Sequence, residues 1–137
     1  GRHPYGGPPA PCDCNCRGTA VRSANGTWGA MSYNPDIPDP DVAGAVLGLP
    51  NGSFAFTNPS SRSRRENMTL HIGRRVSEGI VWDRGQPLGS SPVVPAGYSS
   101  IFQAVDTHHI GVLWETHGDE TFPNCYGGYC QIVLTMV

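Results

Sequence analysis

Glycine and proline interrupt this chain so often that no long helix can form. The 137 residues include 18 Gly and 13 Pro, and proline breaks the interior of a helix because it lacks an amide hydrogen and clashes with the preceding turn. Between these residues the apolar side chains come in short runs, and no segment keeps a helical period for more than about two turns. The sequence therefore predicts an all-β chain with antiparallel sheets.

Six short apolar segments, bounded by turn residues, have the length and composition of strands. They are residues 43–47, 53–57, 68–74, 99–105, 110–115 and 131–137. Asn51 and Gly52 lie between the first two and predict a hairpin with a type I′ turn, because both residues tolerate a positive φ angle. Residues 107–109 are expected to join another pair of strands. Residues 34–41 (NPDIPDPD) are predicted to be a connector, since proline cannot lie in a central strand.

The length and the charge of the chain exclude several classes of protein. A chain of 137 residues suits one domain, so residues 1–137 are predicted to belong to a single domain. No stretch approaches the roughly 18 apolar residues of a membrane span, and no basic-then-apolar leader opens the chain, so neither a transmembrane helix nor a signal peptide is expected.

The net charge is only -2, which disfavours a nucleic-acid partner. All 9 cations are arginine, whose planar guanidinium suits carboxylates.

Cysteines and glycosylation sequons favour a protein of the secretory pathway. The 5 cysteines lie in two clusters at opposite ends of the chain: Cys12, Cys14, Cys16, Cys125 and Cys130. Sequons begin at Asn25, Asn51 and Asn67. Disulfides persist in oxidising compartments and sequons are glycosylated in secreted proteins, so a lysosomal or extracellular location is expected. The odd number of cysteines means that at least one thiol is either free or bonded outside this sequence.

The three amino-terminal cysteines could instead suggest a metal site together with His3. Alternation along a strand puts their sulfurs on one face, but no second matched pair of ligands lies nearby in the sequence. No metal ion is therefore expected. Cys125 and Cys130, in the stretch CYGGYC, predict a short turn closed by a disulfide.

Two segments place a polar turn and a glycine shortly before a tryptophan. They are residues 22–28 (RSANGTW) and residues 75–82 (RVSEGIVW). Repeated turn-and-tryptophan units are typical of β-propeller blades, and the alternative is two unrelated turns that each precede a core tryptophan. A propeller of about four to eight four-stranded blades does not close within a chain of this length unless it is very small. On the propeller interpretation, the chain is therefore part of a larger barrel.

Three clusters of residues form a pattern that is specific when they are taken together. Residues 56–60 (FTNPS) and 64–70 (RRENMTL) place an arginine just before a strand. Residues 96–101 (AGYSSI) open a strand with a tyrosine, and residues 110–115 (IGVLWE) end a strand with a glutamate. In this order and spacing the chain resembles the exo-α-sialidase (neuraminidase) family, whose segments are Asn-Pro, Arg-x-Asn-x-Thr, Gly-Tyr-Ser-Ser and Tyr/Trp-Glu.

The likeness covers most of residues 12–137 and is closest to the animal lysosomal members of the family. Their Cys-His-Cys-Arg strand resembles residues 14–17 (CNCR), and the stretch before their Asn-Pro motif resembles residues 39–57. The resemblance implies an all-β fold that forms the C-terminal two to three blades of a six-bladed sialidase-type β-propeller.

The tryptophan turns then resemble degenerate Asp boxes, the blade-turn motif Ser-x-Asp-x-Gly-x-x-Trp of the family. Gly79 and Trp82 fit this motif, whereas Arg75 and Ser77 stand where its serine and aspartate belong. Around Trp28 the box is shorter by a residue or two.

The resemblance also assigns roles to arginines. Sialic acid carries a carboxylate on its anomeric carbon, and sialidases hold that anion with three arginines, because a guanidinium donates two parallel hydrogen bonds to a carboxylate. Arg65, two residues before Asn67, matches the third of them, and this spacing selects it over Arg64. Arg2 is the only arginine upstream of the cysteine strand and matches the second. The first would lie far upstream and is absent from this sequence.

Sialidases use a tyrosine where other retaining glycosidases use a carboxylate nucleophile. A neutral phenol is not repelled by the substrate's carboxylate, but a tyrosine, with an ordinary pKa of about 10, needs a base beside it. By resemblance Tyr98 is the nucleophile, and Glu115 occupies the position of the glutamate that orients the first arginine. The activating glutamate and the acid/base aspartate belong to earlier blades.

The resemblance implies a glycoside hydrolase. The complete protein is expected to be an exo-α-sialidase that removes terminal α-linked sialic acids from glycoproteins, oligosaccharides or gangliosides with retention and without a cofactor. This chain alone is expected to be inactive. Two alternatives stay open, a lectin-like propeller that binds sialic acid without turnover and a trans-sialidase. If the acid/base aspartate and the activating glutamate are present upstream, they favour the enzyme. Their absence would favour the lectin.

Overall fold

A computed structural model describes residues 15–77, 79–104, 108–116 and 131–137. These residues form strands and no helix, and all the strand pairs are antiparallel. The strands are β1 (Cys16–Thr19), β2 (Ser32–Pro38), β3 (Ala45–Gly48), β4 (Phe54–Pro59), β5 (Met68–Val76), β6 (Gly79–Trp82), β7 (Gln86–Pro87), β8 (Ala96–Gln103), β9 (Ile110–Thr116) and β10 (Gln131–Met136). Within the described residues there is thus no helix that could cross a membrane.

The strands are arranged in three sheets. β3, β4, β5 and β6 form an antiparallel meander in chain order, and the short β7 pairs with the first half of β5. β8, β9 and β10 form a second meander, and β1 pairs with β2. β8 packs against β3 and β4, so the second meander begins against the first strands of the first meander.

Two clusters of apolar side chains form the core of the described residues. One joins the two meanders: Met68, Ala96, Val112 and Trp114. The other joins the first meander to β2: Ile37, Phe56 and Trp82. Residues 55–59 of β4 are all buried, as expected of a strand that is covered on both faces. β4 therefore lies between the other two sheets, at the centre of the described fold.

The all-β prediction is confirmed, and each of the six predicted strands overlaps an observed strand. The prediction that residues 34–41 form a connector is wrong for residues 34–38, because Ser32–Pro38 is β2, and holds for residues 39–41, which lie between β2 and β3. The register of β1 with β2 shifts between Cys16 and Arg17, so residues 35–37 leave the ladder. Pro35 lies outside the ladder and needs no partner for an amide hydrogen. Pro38 is paired with Cys16, but β2 belongs to a two-stranded sheet, so within the described residues it is an edge strand, where proline is tolerated.

The hairpin between β3 and β4 is confirmed, but the prediction of a type I′ turn is wrong. Gly52 has a φ angle of 81°, whereas Asn51 is not among the residues with positive φ. The amide of Gly52 donates to the carbonyl of Leu49 at 2.9 Å, so Pro50 and Asn51 are the central residues of the turn. Proline fixes φ at about −65°, which suits a type I turn and excludes a type I′ turn.

The two tryptophan turns differ in the environment of the tryptophan. Trp82 ends β6 and is only 8% exposed, whereas Trp28 is 65% exposed and bridges to Arg22 across a short turn. Gly73 makes room for the buried ring, because a Cβ atom there would approach the Trp82 ring to 2.7 Å. Only one of the two tryptophans is therefore a core residue, and the Asp-box interpretation stays a prediction.

Cys16 is disulfide-bonded. The other cysteines lie outside the described residues, and so do Arg2 and the predicted disulfide-closed turn of residues 125–130. Among the described residues, no group of three or more His, Cys, Asp or Glu side chains is arranged to hold a metal ion.

Candidate active site

Tyr98 lies in a β-bulge at the start of β8. Ala96 pairs with Thr116 and Ser99 pairs with Trp114, so β8 has one extra residue between these two pairs. A bulge bends its strand and redirects the adjacent side chain, and Tyr98 is 50% exposed. The phenol is therefore accessible even though the tyrosine belongs to a sheet whose other face is part of the core.

Glu115 lies beside Tyr98 on the neighbouring strand β9. Its Oε2 atom accepts a hydrogen bond from the backbone N–H of Tyr98 at 3.1 Å. Because the bulge takes Tyr98 out of the strand register, this amide needs an acceptor other than a ladder carbonyl. The carboxylate thus holds the main chain of the bulge in place.

Arg65 reaches Tyr98 from the loop between β4 and β5. The amide of Ala96 donates to the carbonyl of Arg65 at 2.8 Å, and the amide of Asn67 donates to the carbonyl of Val94 at 3.0 Å. This part of the loop therefore runs alongside the start of β8. The guanidinium carbon of Arg65 lies 5.6 Å from the centroid of the Tyr98 ring, within the range of a cation–π contact.

Asn67 gives the loop the bend that brings Arg65 to β8. Its φ angle is 61°, a conformation that asparagine adopts more readily than most residues. Its Nδ2 atom donates to the carbonyl of Ser60 at 3.3 Å, and its own carbonyl accepts from the amide of Ser60 at 2.9 Å and from the hydroxyl of Thr69 at 2.9 Å. The asparagine and threonine of the Arg-x-Asn-x-Thr pattern therefore have a structural role in this chain.

The serine that follows Tyr98 is bonded to the centre of the fold. The hydroxyls of Ser99 and Thr57 lie 2.9 Å apart, and Thr57 is fully buried in β4. Sequence reasoning singled out neither residue for a site role. Both lie inside the quoted motifs, but nothing local distinguishes them, because hydroxyl side chains are common in strands and turns.

A second charged contact lies on the other side of β4. Arg17 of β1 forms an ion pair with Asp39, donates to the carbonyl of Val42 at 2.5 Å and lies over the ring of Phe56 at 5.5 Å. Burial raises the pKa of the Asp39 carboxyl, and the Arg17 guanidinium opposes this shift. The Asp39 carboxylate also accepts a hydrogen bond from the amide of Asp41 at 2.8 Å. Arg17 and Asp39 therefore have a structural role: they join the β1–β2 sheet to the first meander.

The structure brings together three of the four predicted site residues. Arg65, Tyr98 and Glu115 come from three separate segments and meet at the start of β8, while Arg2 lies outside the described residues. An accessible phenol beside a guanidinium can present an oxygen nucleophile to a ligand whose anionic group is held by the cation.

The fold is similar to that of solved bacterial sialidases. The chain matches the NanB sialidase from Streptococcus pneumoniae with a TM-score of 0.60 and 26% identity, over 72% of this chain and 16% of that one. The chain has a sialidase-like fold. An intramolecular trans-sialidase from Ruminococcus gnavus gives a TM-score of 0.61 with 18% identity, over 74% of this chain and 24% of that one.

The described chain thus spans less than a quarter of the length of either sialidase. No protein-family profile and no curated protein matches the sequence.

Proposed function

We propose that residues 1–137 are the C-terminal part of an exo-α-sialidase. The complete protein hydrolyses terminal α-linked sialic acids of glycoproteins, oligosaccharides or gangliosides with retention, through a tyrosyl intermediate. The observation that carries this proposal is the convergence of Arg65, Tyr98 and Glu115 at the bulge of β8, within a sialidase-like fold.

Arg65 binds the carboxylate of sialic acid. Its guanidinium carbon lies 5.6 Å from the centroid of the Tyr98 ring, so an anion held by this arginine lies near the tyrosine. The NanB structure similar to this one is in complex with an ethanesulfonate compound, a ligand with an acidic group. Arg2, and a further arginine in an earlier segment, complete the clamp.

Tyr98 attacks the anomeric carbon and forms the covalent intermediate, the role that tyrosine takes in sialidases. Glu115 holds the main chain of the bulge and orients the first arginine of the clamp. The acid/base aspartate and the glutamate that activates the phenol come from earlier blades of the same protein. No cofactor takes part, because the positive charge comes from arginines and the nucleophile is a side chain.

The sheets belong to the C-terminal two to three blades of a six-bladed propeller. In each meander, strands that follow one another in sequence pair in an antiparallel way, as they do in a propeller blade. β8 is the first strand of the last blade and packs against β3 and β4. The CNCR segment and the stretch before the Asn-Pro motif resemble the animal lysosomal neuraminidases, which supports a relationship to that branch of the family. A disulfide at Cys16 and three sequons support a location in the secretory pathway, either lysosomal or extracellular.

The test is covalent trapping in the complete protein. A fluorinated sialosyl fluoride should label the peptide that contains Tyr98, and mass spectrometry should place the adduct on its phenol oxygen. Tyr98→Phe should abolish the adduct and most hydrolysis while leaving sialic acid bound, and Tyr33→Phe is the matched control, since Tyr33 lies in β2.

An adduct on another residue would overturn the mechanism. Binding of sialic acid without turnover in the wild type would favour the lectin-like alternative. Transfer to an added glycan acceptor in place of hydrolysis would identify a trans-sialidase.

A further inference from the structure

Two hydroxyl groups meet behind the bulge that carries Tyr98. The Thr57 and Ser99 side-chain oxygens lie 2.9 Å apart, and the Ser99 hydroxyl also lies within 3.4 Å of the Thr57 carbonyl. Thr57 is 0% exposed. The Thr57 hydroxyl is therefore costly to leave without a partner, because no water reaches it.

The two hydroxyls join separate sheets. Thr57 belongs to β4 of the first meander and Ser99 to β8 of the second. The next residue along β4, Asn58, points the other way and donates from Nδ2 to the carbonyl of Pro38 at 2.7 Å, as the alternation of side chains along a strand requires. Thr57 is therefore fixed by a strand that is held from both sides.

The position of Tyr98 is not fixed by regular strand pairing. It lies between the pairs Ala96–Thr116 and Ser99–Trp114, outside the regular register, and half of it is exposed. Its amide is held by Glu115. The residue after it is held by the Thr57–Ser99 contact, which sets where β8 resumes its register and hence where the phenol points.

We infer that Thr57 is a positioning residue for Tyr98. It acts only through the hydroxyl of Ser99, touches no substrate, and fixes the bulge so that the phenol lies beside the Arg65 guanidinium. This inference rests on the proposed role of Tyr98 as nucleophile. It predicts that removing one buried hydroxyl, with no change of shape, lowers the rate of the chemical step more than it affects substrate binding.

The experiment compares Thr57→Val, Thr57→Ser and Ser99→Ala in the complete protein. Thr57→Val keeps the shape and loses the hydroxyl, whereas Thr57→Ser keeps the hydroxyl. Thr135→Val is the matched control, because its hydroxyl accepts from the Trp114 indole at 3.2 Å, farther along the same meander. Hydrolysis of a fluorogenic sialoside gives kcat and KM, and fluorine NMR of 3-fluorotyrosine, assigned with Tyr98→Phe, reports the ring position without any turnover.

We expect Thr57→Val and Ser99→Ala to lower kcat by about 10-fold to 100-fold, with KM changed by less than about threefold. The fluorine resonance of residue 98 should shift or broaden in both variants. Thr57→Ser should restore the rate and the resonance, and Thr135→Val should change neither. Combining Thr57→Val with Ser99→Ala should cost little more than either alone, because one contact is lost in each case.

A wild-type rate and an unmoved resonance in folded Thr57→Val would overturn the inference. So would equal losses of rate in Thr57→Val and Thr135→Val, which would indicate a general effect on stability. If the wild type hydrolyses no sialoside, the proposed function fails. In that case the fluorine signal by itself still tests whether Thr57 positions Tyr98. A shift of the resonance in Thr57→Val that Thr57→Ser reverses supports the positioning role, and an unchanged resonance refutes it.

Discussion

The carboxylate of Glu115 accepts a hydrogen bond from the backbone N–H of Tyr98 at 3.1 Å. The two residues are thus joined through the main chain of the bulge and not through the phenol. Glu115 therefore has a structural task that is separate from any pairing of its charge with an arginine. Substitution can separate the two tasks, because glutamine keeps an acceptor oxygen and loses the charge.

Glu115→Gln should leave the free energy of unfolding within about 0.5 kcal/mol of the wild type, whereas Glu115→Ala should lower it by about 1–2 kcal/mol, because the Tyr98 amide then loses its acceptor. Denaturant unfolding of the complete protein measures both values. Both variants should lose sialoside hydrolysis, since neither carries the charge that orients an arginine. Equal destabilisation by glutamine and alanine would contradict the main-chain role.

Arg65→Ala should weaken the binding of every ligand that carries the sialic carboxylate, by about 2–5 kcal/mol if the charge pair is buried in the complete protein. Arg65→Lys should recover little of this, since an ammonium cannot make the bidentate contact. Calorimetric titration with free sialic acid gives the affinities. Arg64→Ala is the matched control, and a loss as large as that of Arg65→Ala would show that the wrong neighbour was selected.

His71 makes the stability of the fold sensitive to acid. It is fully buried, its Nδ1 atom lies 3.4 Å from the carbonyl oxygen of Asp83, and burial lowers the pKa of its imidazole from the ordinary value of 6.5. The unfolded chain therefore takes up a proton at higher pH than the folded chain. The contribution of neutral His71 to stability is complete above this ordinary pKa and decreases as the pH falls towards the folded-state pKa.

The decrease amounts to at most about 1.4 kcal/mol per pH unit for one group. Unfolding measured over a series of pH values should therefore show a smaller acid loss in His71→Phe and His71→Gln than in the wild type. An identical pH dependence in all three proteins would mean that His71 does not contribute.

Gly73→Ala should destabilise the first meander by about 1–3 kcal/mol, because the added methyl group forces the packed Trp82 ring to move. A Cβ atom at this position would lie 2.7 Å from that ring, whereas a Cβ atom at Gly48 would meet nothing within 4 Å. Gly48→Ala is therefore the control and should be nearly neutral. Thermal unfolding followed by tryptophan fluorescence compares the two, and equal melting temperatures would refute the packing argument.

Local features of the sequence predicted local structure well. The spacing of glycine and proline predicted an all-β chain, and Asn51 with Gly52 predicted the β3–β4 hairpin, because turn preference and side-chain period are properties of neighbouring residues. The turn type was wrong because Pro50, and not Asn51, takes the first central position. The prolines of β2 misled the prediction because proline is tolerated in an edge strand and, at Pro35, beside a shift in strand register.

The sequence by itself determined the class of the fold and the order of the motifs that contain Arg65, Tyr98 and Glu115. Only the tertiary structure decided that these side chains meet, that Glu115 bonds the main chain of the bulge, and that Thr57 lies behind Ser99. The physical reason is distance along the chain. Contacts between remote segments depend on sheet register, on one bulged residue and on how two meanders pack, and none of these is encoded in any short stretch of sequence.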